Sequence, residues 1–497
     1  MIIPFPEHAP DQSQFEPTIT DTVKNVIPRT NGFGPFKQLV TFSDALPAQP
    51  KGVIFARGDD GATHIFAGTT TKLYKLDATT LAWTDVTTVA TTYALPADSH
   101  WSFAQFGDHV LATNSVDGPY SYDLSSSTEF AALGGSPPIS RVVGVIGDFV
   151  FLGEKATQSR QVTWSGVNND AHWVPRQRLS DFQVFPDGDD ITGIVGFERG
   201  GLIFQRRSVR EITPALNTSL IFQFQEIERS RGAIAPGSII NAGTEVFWLS
   251  DDGFHRYGRP TQSIGEERVN RTFFDDISTD QIPFVQGTVD PVKHIAYWRY
   301  SSVNNLSSTT SNKLLAYNYM LDRWSVIETD LSWITVAAST GYTLETLDNV
   351  GTLDSLEYSL DSRIWVESSP NLAGFSSDYK LGFFEGDALE ATVQTSDVHI
   401  ARMTMAPDQG IRVEGRRTMV RGFRPISDAS TIYGRVAVKD RSGDSRTFGT
   451  EAQAQDNGLI STRASGLYHR FEVRIPAAEA WEFVHGVEPE WRPEGTR

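Results

Sequence analysis

An all-β fold is predicted by three observations. A four-strand pattern recurs along most of the chain, no amphipathic helix of more than about three turns can be read, and strands of longer alternation fill the C-terminal part. The form expected is a β-propeller of about seven blades with an extended N-terminal arm and a C-terminal antiparallel β-sandwich. The boundaries read from the texture are 1–40 for the arm, 41–370 for the propeller and 371–497 for the sandwich.

The pattern is clearest from Lys51 to Thr88. An apolar strand (Val53, Phe55) runs into the turn Gly58-Asp59-Asp60-Gly61, and a second strand follows from His64 to Ala67. Leu73, Tyr74 and Leu76 mark a third, Asp77-Ala78-Thr79-Thr80 a turn, and Trp83 and Val86 a fourth. Such a sheet cannot bury both of its faces alone and needs copies of itself. A second copy begins at Trp101 and turns at Gly107-Asp108, and a third begins at Val142 and turns at Gly147-Asp148. A fourth turns at Arg199-Gly200-Gly201, and a fifth at Asp252-Gly253 between Trp248 and Tyr257. In the sixth, Leu315, Tyr317 and Trp324 echo Leu73, Tyr74 and Trp83; a weaker seventh spans Trp333 to Trp365. A strand from either terminus is a candidate to close the propeller.

The arm carries Pro4, Pro6, Pro10, Pro17, Pro28 and Pro35, which favour extended chain over helix. Val26, Ile27, Phe33 and Phe36 give it apolar anchors for docking, against the plainer expectation of a disordered terminus. The C-terminal unit concentrates basic residues: Arg412, Arg416, Arg417, Arg421, Arg424 and Arg435. On alternating strands they offer either a basic face for an acidic partner or an ordinary solvated face.

A formal net charge of −18 argues against general nucleic-acid binding and against docking on anionic membranes. With no Cys, thiol nucleophiles, disulfides and Cys-ligated zinc are excluded. The opening MIIPFPEHAPDQ has no basic region and no long apolar run, so neither a secretion signal nor a membrane span is expected.

Propellers host glycosidases, so carboxylate pairs are the first chemistry to test. Asp59-Asp60, Asp187 with Asp189-Asp190, and Asp251-Asp252 supply acids, yet Asp is also the default residue of hairpin turns. Ser250-Asp251-Asp252-Gly253 fails the sialidase Asp-box, with its Gly one position early and no Trp where one is required. The ten His form no H-x-H or HExxH pair, and Asp187-Gly188-Asp189-Asp190 lacks the later Gly and Glu of a calcium loop. Thr163-Trp164-Ser165-Gly166 is a turn and not a nucleophile elbow, and Arg57-Gly58-Asp59 sits in a hairpin. No catalytic, cofactor-binding or metal-ligating residue is nominated, and no cofactor is expected.

Thr22 to Arg29 with Asn31-Gly32-Phe33, then Gly52 to Trp83, and finally Gly466 to Pro476 with Trp481 and Gly486, together resemble tailed-phage structural proteins. The first stretch looks like the opening of that group, the second is similar to its first blade, and the third resembles its closing strands. The resemblance covers both ends, and the middle only as a repeat. It implies a tail hub or nozzle protein like the propeller-bearing tail tubular and packaged-DNA-stabilising proteins of short-tailed phages. The partners it implies are six copies of the chain in a ring, the portal and its adaptor, and other tail proteins such as fibres or a spike. Genomic DNA would pass without sequence-specific binding, in a virion assembled in the host cytoplasm. An acidic chain without a site agrees with such a part, because an acidic lumen repels DNA. Three alternatives stay open: a receptor-binding or capsid-decorating virion protein, a propeller glycan hydrolase relying on Asp189 or Asp252, and an interaction module in a cellular protein.

Overall fold

The computed structural model describes residues 1–15, 18–197, 200–215, 221–305, 307, 309–338, 370–404 and 417–494. The chain is all-β, and these residues form seven four-stranded antiparallel sheets and two larger ones. Sheet 1 consists of Gly52–Arg57, Thr63–Gly68, Leu73–Leu76 and Trp83–Asp85, the four strands read between Lys51 and Thr88. Sheets 2 to 6 begin at Ser102, Ser140, Ile191, Ile240 and Gln286, each with four strands consecutive in the chain.

Sheet 7 is assembled differently. Trp333–Ala337 pairs with Asn371–Phe375, which pairs with Lys380–Phe383, and the outer strand is Val40–Ala45. The boundary read at 370 therefore falls inside this sheet, and Trp365, with which the seventh repeat was to end, lies outside the described residues. Nothing local reveals the partnership, because Trp333–Ala337 and Asn371–Phe375 are far apart in sequence. The turn Ser376–Tyr379, closed by the Tyr379 N–H on the Ser376 carbonyl (3.1 Å), gives Asn371–Phe383 the look of a fresh start.

Successive side chains along each second strand serve opposite faces, as the pleat requires. Phe66 packs with Val110, Tyr122 and Phe130 of sheet 2, while its neighbours Ile65 and Ala67 pack with Phe375 and Leu381 of sheet 7. Leu111 joins Val143 and Val150 of sheet 3, and Phe151 joins Ile203 and Ile212 of sheet 4. Leu202 and Phe204 meet Val246 and Trp248 of sheet 5, whereas Phe247 and Leu249 meet Trp298 and Trp324 of sheet 6. Ile295, Tyr297 and Leu314 complete the series against Ile334 and Leu372 of sheet 7. Each of the seven small sheets thus shares a core with the sheet on either side, and the last shares one with the first.

The large aromatics carry most of that burial. Trp248, Trp298 and Trp324 are each 0% exposed, worth roughly 3 kcal/mol apiece in removed apolar surface. Their indole N–H groups donate to carbonyls earlier in the chain: Trp248 to Arg231 (3.0 Å), Trp298 to Ser238 (3.0 Å) and Trp324 to Ile264 (2.9 Å). Burial of the ring therefore leaves no orphaned donor. One turn glycine is required by space: at Gly253 (φ +130°) a Cβ would lie 1.8 Å from Asn270 Nδ2.

The two larger sheets draw on both ends of the chain. The six-stranded sheet runs Ile460–Gly466, Thr418–Ser427, Val484–Pro493, Phe33–Pro35 and Val26–Pro28, with Ile3–Pro4 also on Val484–Pro493. The seven-stranded sheet runs Glu7–His8, Ile19–Lys24, Ala391–Thr395, Tyr468–Ile475, Tyr433–Lys439 and Thr447–Phe448, with Ala452–Gln453 also on Tyr433–Lys439. One core containing Phe423, Phe471, Val473 and Val484 lies between them. The arm is an integral part of this unit. Val26, Ile27, Phe33 and Phe36 are all buried, Val26 and Phe33 in that core and Ile27 and Phe36 against sheets 6 and 7.

Candidate functional site

The acids weighed in the sequence lie in turns, and several of them form ion pairs. Asp60 Oδ1 accepts the Ala62 N–H (2.9 Å), and the Asp59 N–H donates to Asp108 Oδ1 (2.8 Å), so this hairpin is tied to sheet 2. Asp187 pairs with the buried Arg210, and Asp189 (φ +64°) with Arg207 at 3.1 Å. Asp252 meets Arg231 at 2.8 Å and His255 Nε2 at 2.6 Å. The His255 ring is fully buried, while the Asp252 side chain stays partly exposed. Among the described residues no three His, Asp or Glu side chains group as metal ligands, and no helix is long and apolar enough to cross a membrane.

The basic set of the C-terminal unit is largely neutralised by its own sheets. Arg435 stands opposite Glu472 in register and bonds it at 2.5 Å. Arg424 reaches Glu490 (2.6 Å) on the paired strand, and Arg417 reaches Asp440 (2.5 Å), a contact between the ends of strands that belong to different sheets. Arg421 is exposed, and Arg412 and Arg416 lie outside the described residues.

Two arrangements escaped the sequence reading. The first is a buried ion network that fastens the arm. Asp397 (3% exposed) accepts from Arg470 Nε (2.9 Å) and Arg446 Nε (3.1 Å), and also bonds Lys439. Arg470 continues to Asp21 of the arm (3.0 Å to Oδ1), Arg446 bonds Gln14, and Phe15 caps Lys439 with its ring 4.3 Å away. Burial pushes the Asp397 carboxyl up, but the bonds from Arg446 and Lys439 and the charge of Arg470 outweigh it and hold it below the usual range. Asn25 is the arm's second fastening. It adopts φ +57°, its Oδ1 accepts the Glu328 N–H (2.7 Å), and its Nδ2 donates to the Glu390 carbonyl (2.9 Å).

The second arrangement is a cavity of about 310 Å³ at the entry to the first strands of several small sheets. Lys51 lies just before sheet 1, Ser99 and His100 before sheet 2, Gln286 opens sheet 6 and Trp333 opens sheet 7. Arg299 reaches it from the second strand of sheet 6, in register with Gln286. Its Nη1 donates to the Leu331 carbonyl (2.8 Å), while Nε is buried without a partner. Burial pulls this guanidinium down to about 10, still charged at neutral pH. Burial, and then the charge of Arg299, also lowers Lys51, against a weaker pull from Asp98. His100 is lowered to about 4 by burial and then by Arg141 and Lys51, and is neutral at pH 7. The described lining contains no carboxylate, in a chain whose net charge is −18. The signal available in sequence was Arg299 itself, a charge inside the apolar run Ile295–Tyr300.

No protein-family model and no curated protein matches the chain. Among solved structures it is similar to the computationally designed Ika8 protein, at 8% identity and a TM-score of 0.38, over 72% of this chain and 95% of that one. A likeness of that strength leaves function to be argued from this molecule alone.

Proposed function

We propose that the chain is a structural virion protein, a hub or nozzle ring of a phage tail, and not an enzyme. In this reading the seven small sheets are the blades of one closed propeller, and the two larger sheets form a sandwich completed by the arm. The closed series of shared cores supports the propeller, since each sheet finds on its neighbour the apolar face it cannot bury alone.

One observation carries the functional part. The stretches that resemble the opening and the close of the phage group come together in the same pair of sheets. Val484 pairs with Phe33, and Ile19–Lys24 joins Tyr468–Ile475 through their common neighbour Ala391–Thr395. The resemblance therefore concerns one coherent unit and not two unrelated tails. The ion pairs that Asp189 and Asp252 form with Arg207 and Arg231 weigh against the glycan hydrolase. The alternatives of receptor binding and capsid decoration gain no observation of their own.

The test is the copy number of the chain in purified particles, by quantitative peptide mass spectrometry against the portal subunit. A closed tail ring of six predicts about half as many copies as the portal. Hundreds of copies would mean decoration of the capsid, and absence from particles would end the virion reading.

A further inference from the structure

We propose that the cavity beside Arg299 is a binding site for a small tetrahedral oxyanion, with phosphate as the reference ligand. The inference is independent of the virion reading, since it rests on the cavity alone.

A guanidinium leaves water at a large cost unless an anion or a full set of acceptors receives it. Arg299 is only 7% exposed, and one of its N–H groups is used, on the Leu331 carbonyl. The edge carrying Nε has no acceptor, and among the described residues no carboxylate forms an ion pair with it. Elsewhere in the chain deeply buried cations are matched: Arg470 with Asp21 and Asp397, Lys439 with Asp397, Arg210 with Asp187 and Glu226. Among the described residues Arg299 is the exception, and it lines the cavity.

What surrounds that volume suits an oxyanion. Lys51 supplies a second positive charge, its Nζ also donating to the Ala97 carbonyl (3.1 Å). Ser99 and Ser311 supply buried hydroxyl groups around it, whereas Ser332 commits its hydroxyl to the Phe375 and Ser376 carbonyls. The fork of an arginine receives two oxygens of one anion at once, and a lysine adds a point charge without geometric demand. At about 310 Å³ the cavity greatly exceeds the ~15 Å³ that a single water needs, so an anion enters with part of its hydration. The protein's negative field repels anions in general, so retention depends on these two cations.

Isothermal titration of the full chain in a chloride buffer decides the matter, with sodium phosphate, sulfate and acetate as probes. The expected result is one phosphate per chain, sulfate bound similarly, and acetate at least tenfold weaker. Arg299→Gln should weaken phosphate at least tenfold and Lys51→Met several-fold, with unchanged circular dichroism in each. Absence of phosphate binding at 10 mM overturns the proposal, as does acetate binding equal to phosphate. Should Arg299→Gln fail to fold, Lys51→Met carries the test, and unaltered phosphate affinity in that folded variant overturns it.

Discussion

Replacing Asp397 with Asn removes the one carboxylate that Lys439, Arg446 and Arg470 share, and the consequence can be worked from burial. Lys439 and Arg470 keep only 3% of their side-chain surface in water, against 25% for Arg446. Arg470 retains Asp21, and Arg446 can turn outwards, so Lys439 is left as a buried charge with the Phe15 ring for company. Breaking a buried pair in this way costs about 3–5 kcal/mol, whereas the intact pair contributes far less against an apolar substitute. The cost should fall on the larger sheets and not on the small ones. Hydrogen exchange read by mass spectrometry separates the two: at 1.4 kcal/mol per decade, opening that exposes Tyr433–Lys439 and Tyr468–Ile475 should become more than about 100-fold more frequent. Exchange in sheets 1 to 4 should stay as it was. Adding Lys439→Met should recover much of the loss, because it removes the orphaned charge. If Asp397→Asn leaves exchange in those two strands within about fivefold of the parent, the network does not hold the arm and the reasoning is wrong.

Further outcomes follow from other places in the fold. Asn25→Ala removes two side-chain hydrogen bonds and places Ala at φ +57°; a loss of about 2–4 kcal/mol is expected, with earlier proteolysis of the arm as the readout. Gly68→Ala puts a methyl 2.3 Å from Trp101 Cδ1, where the indole also donates to the Thr69 carbonyl; a cost of about 1–3 kcal/mol should appear as a lowered melting temperature. Trp324→Ala empties a site that is 0% exposed at the junction of sheets 5 and 6, and should cost about 3–5 kcal/mol in denaturant titration. Stability should also fall on mild acidification. Burial lowers His8 and His469 to about 4, below the ordinary 6.5, so the unfolded chain binds protons that the folded chain refuses. Their contribution is complete above pH 6.5 and disappears as pH falls towards 4, on the order of 2–3 kcal/mol each. The depressed Asp397 adds its own loss only below the ordinary carboxylate range. A flat melting temperature between pH 7 and pH 4.5 would refute the histidine argument.

Local chemistry explains which features the sequence discloses. Sheet 1 is legible because its strands, turns and Trp83 are contiguous, and its first and last turns carry Asp or Gly. The anchors of the arm are legible because apolar residues between prolines have few alternatives to burial. Sheet 7 is not legible, since its pairing is decided by residues remote in sequence whose strands look as if they belong to different units. The Asp397 network is hidden for the same reason: Asp21, Asp397, Lys439 and Arg470 form a unit only after two sheets have assembled. The lining of the Arg299 cavity comes from the entries of separate sheets, so no window of sequence contains it.

The composite seventh sheet has a consequence for how the chain leaves the ribosome. Sheets 1 to 6 can close in order as they emerge, but Val40–Ala45 waits for Lys380–Phe383, and Asn25 waits for a carbonyl 365 residues further on. Asp21 waits longer still, for Arg470, 449 residues away. At ~5–20 residues per second the N-terminal arm spends roughly 20 to 90 seconds with its strand edges unpaired while the rest is made. A neighbouring nascent chain offers the same edges during that interval, so exchange of arms between copies becomes a competing product whose yield rises with the density of ribosomes on the message.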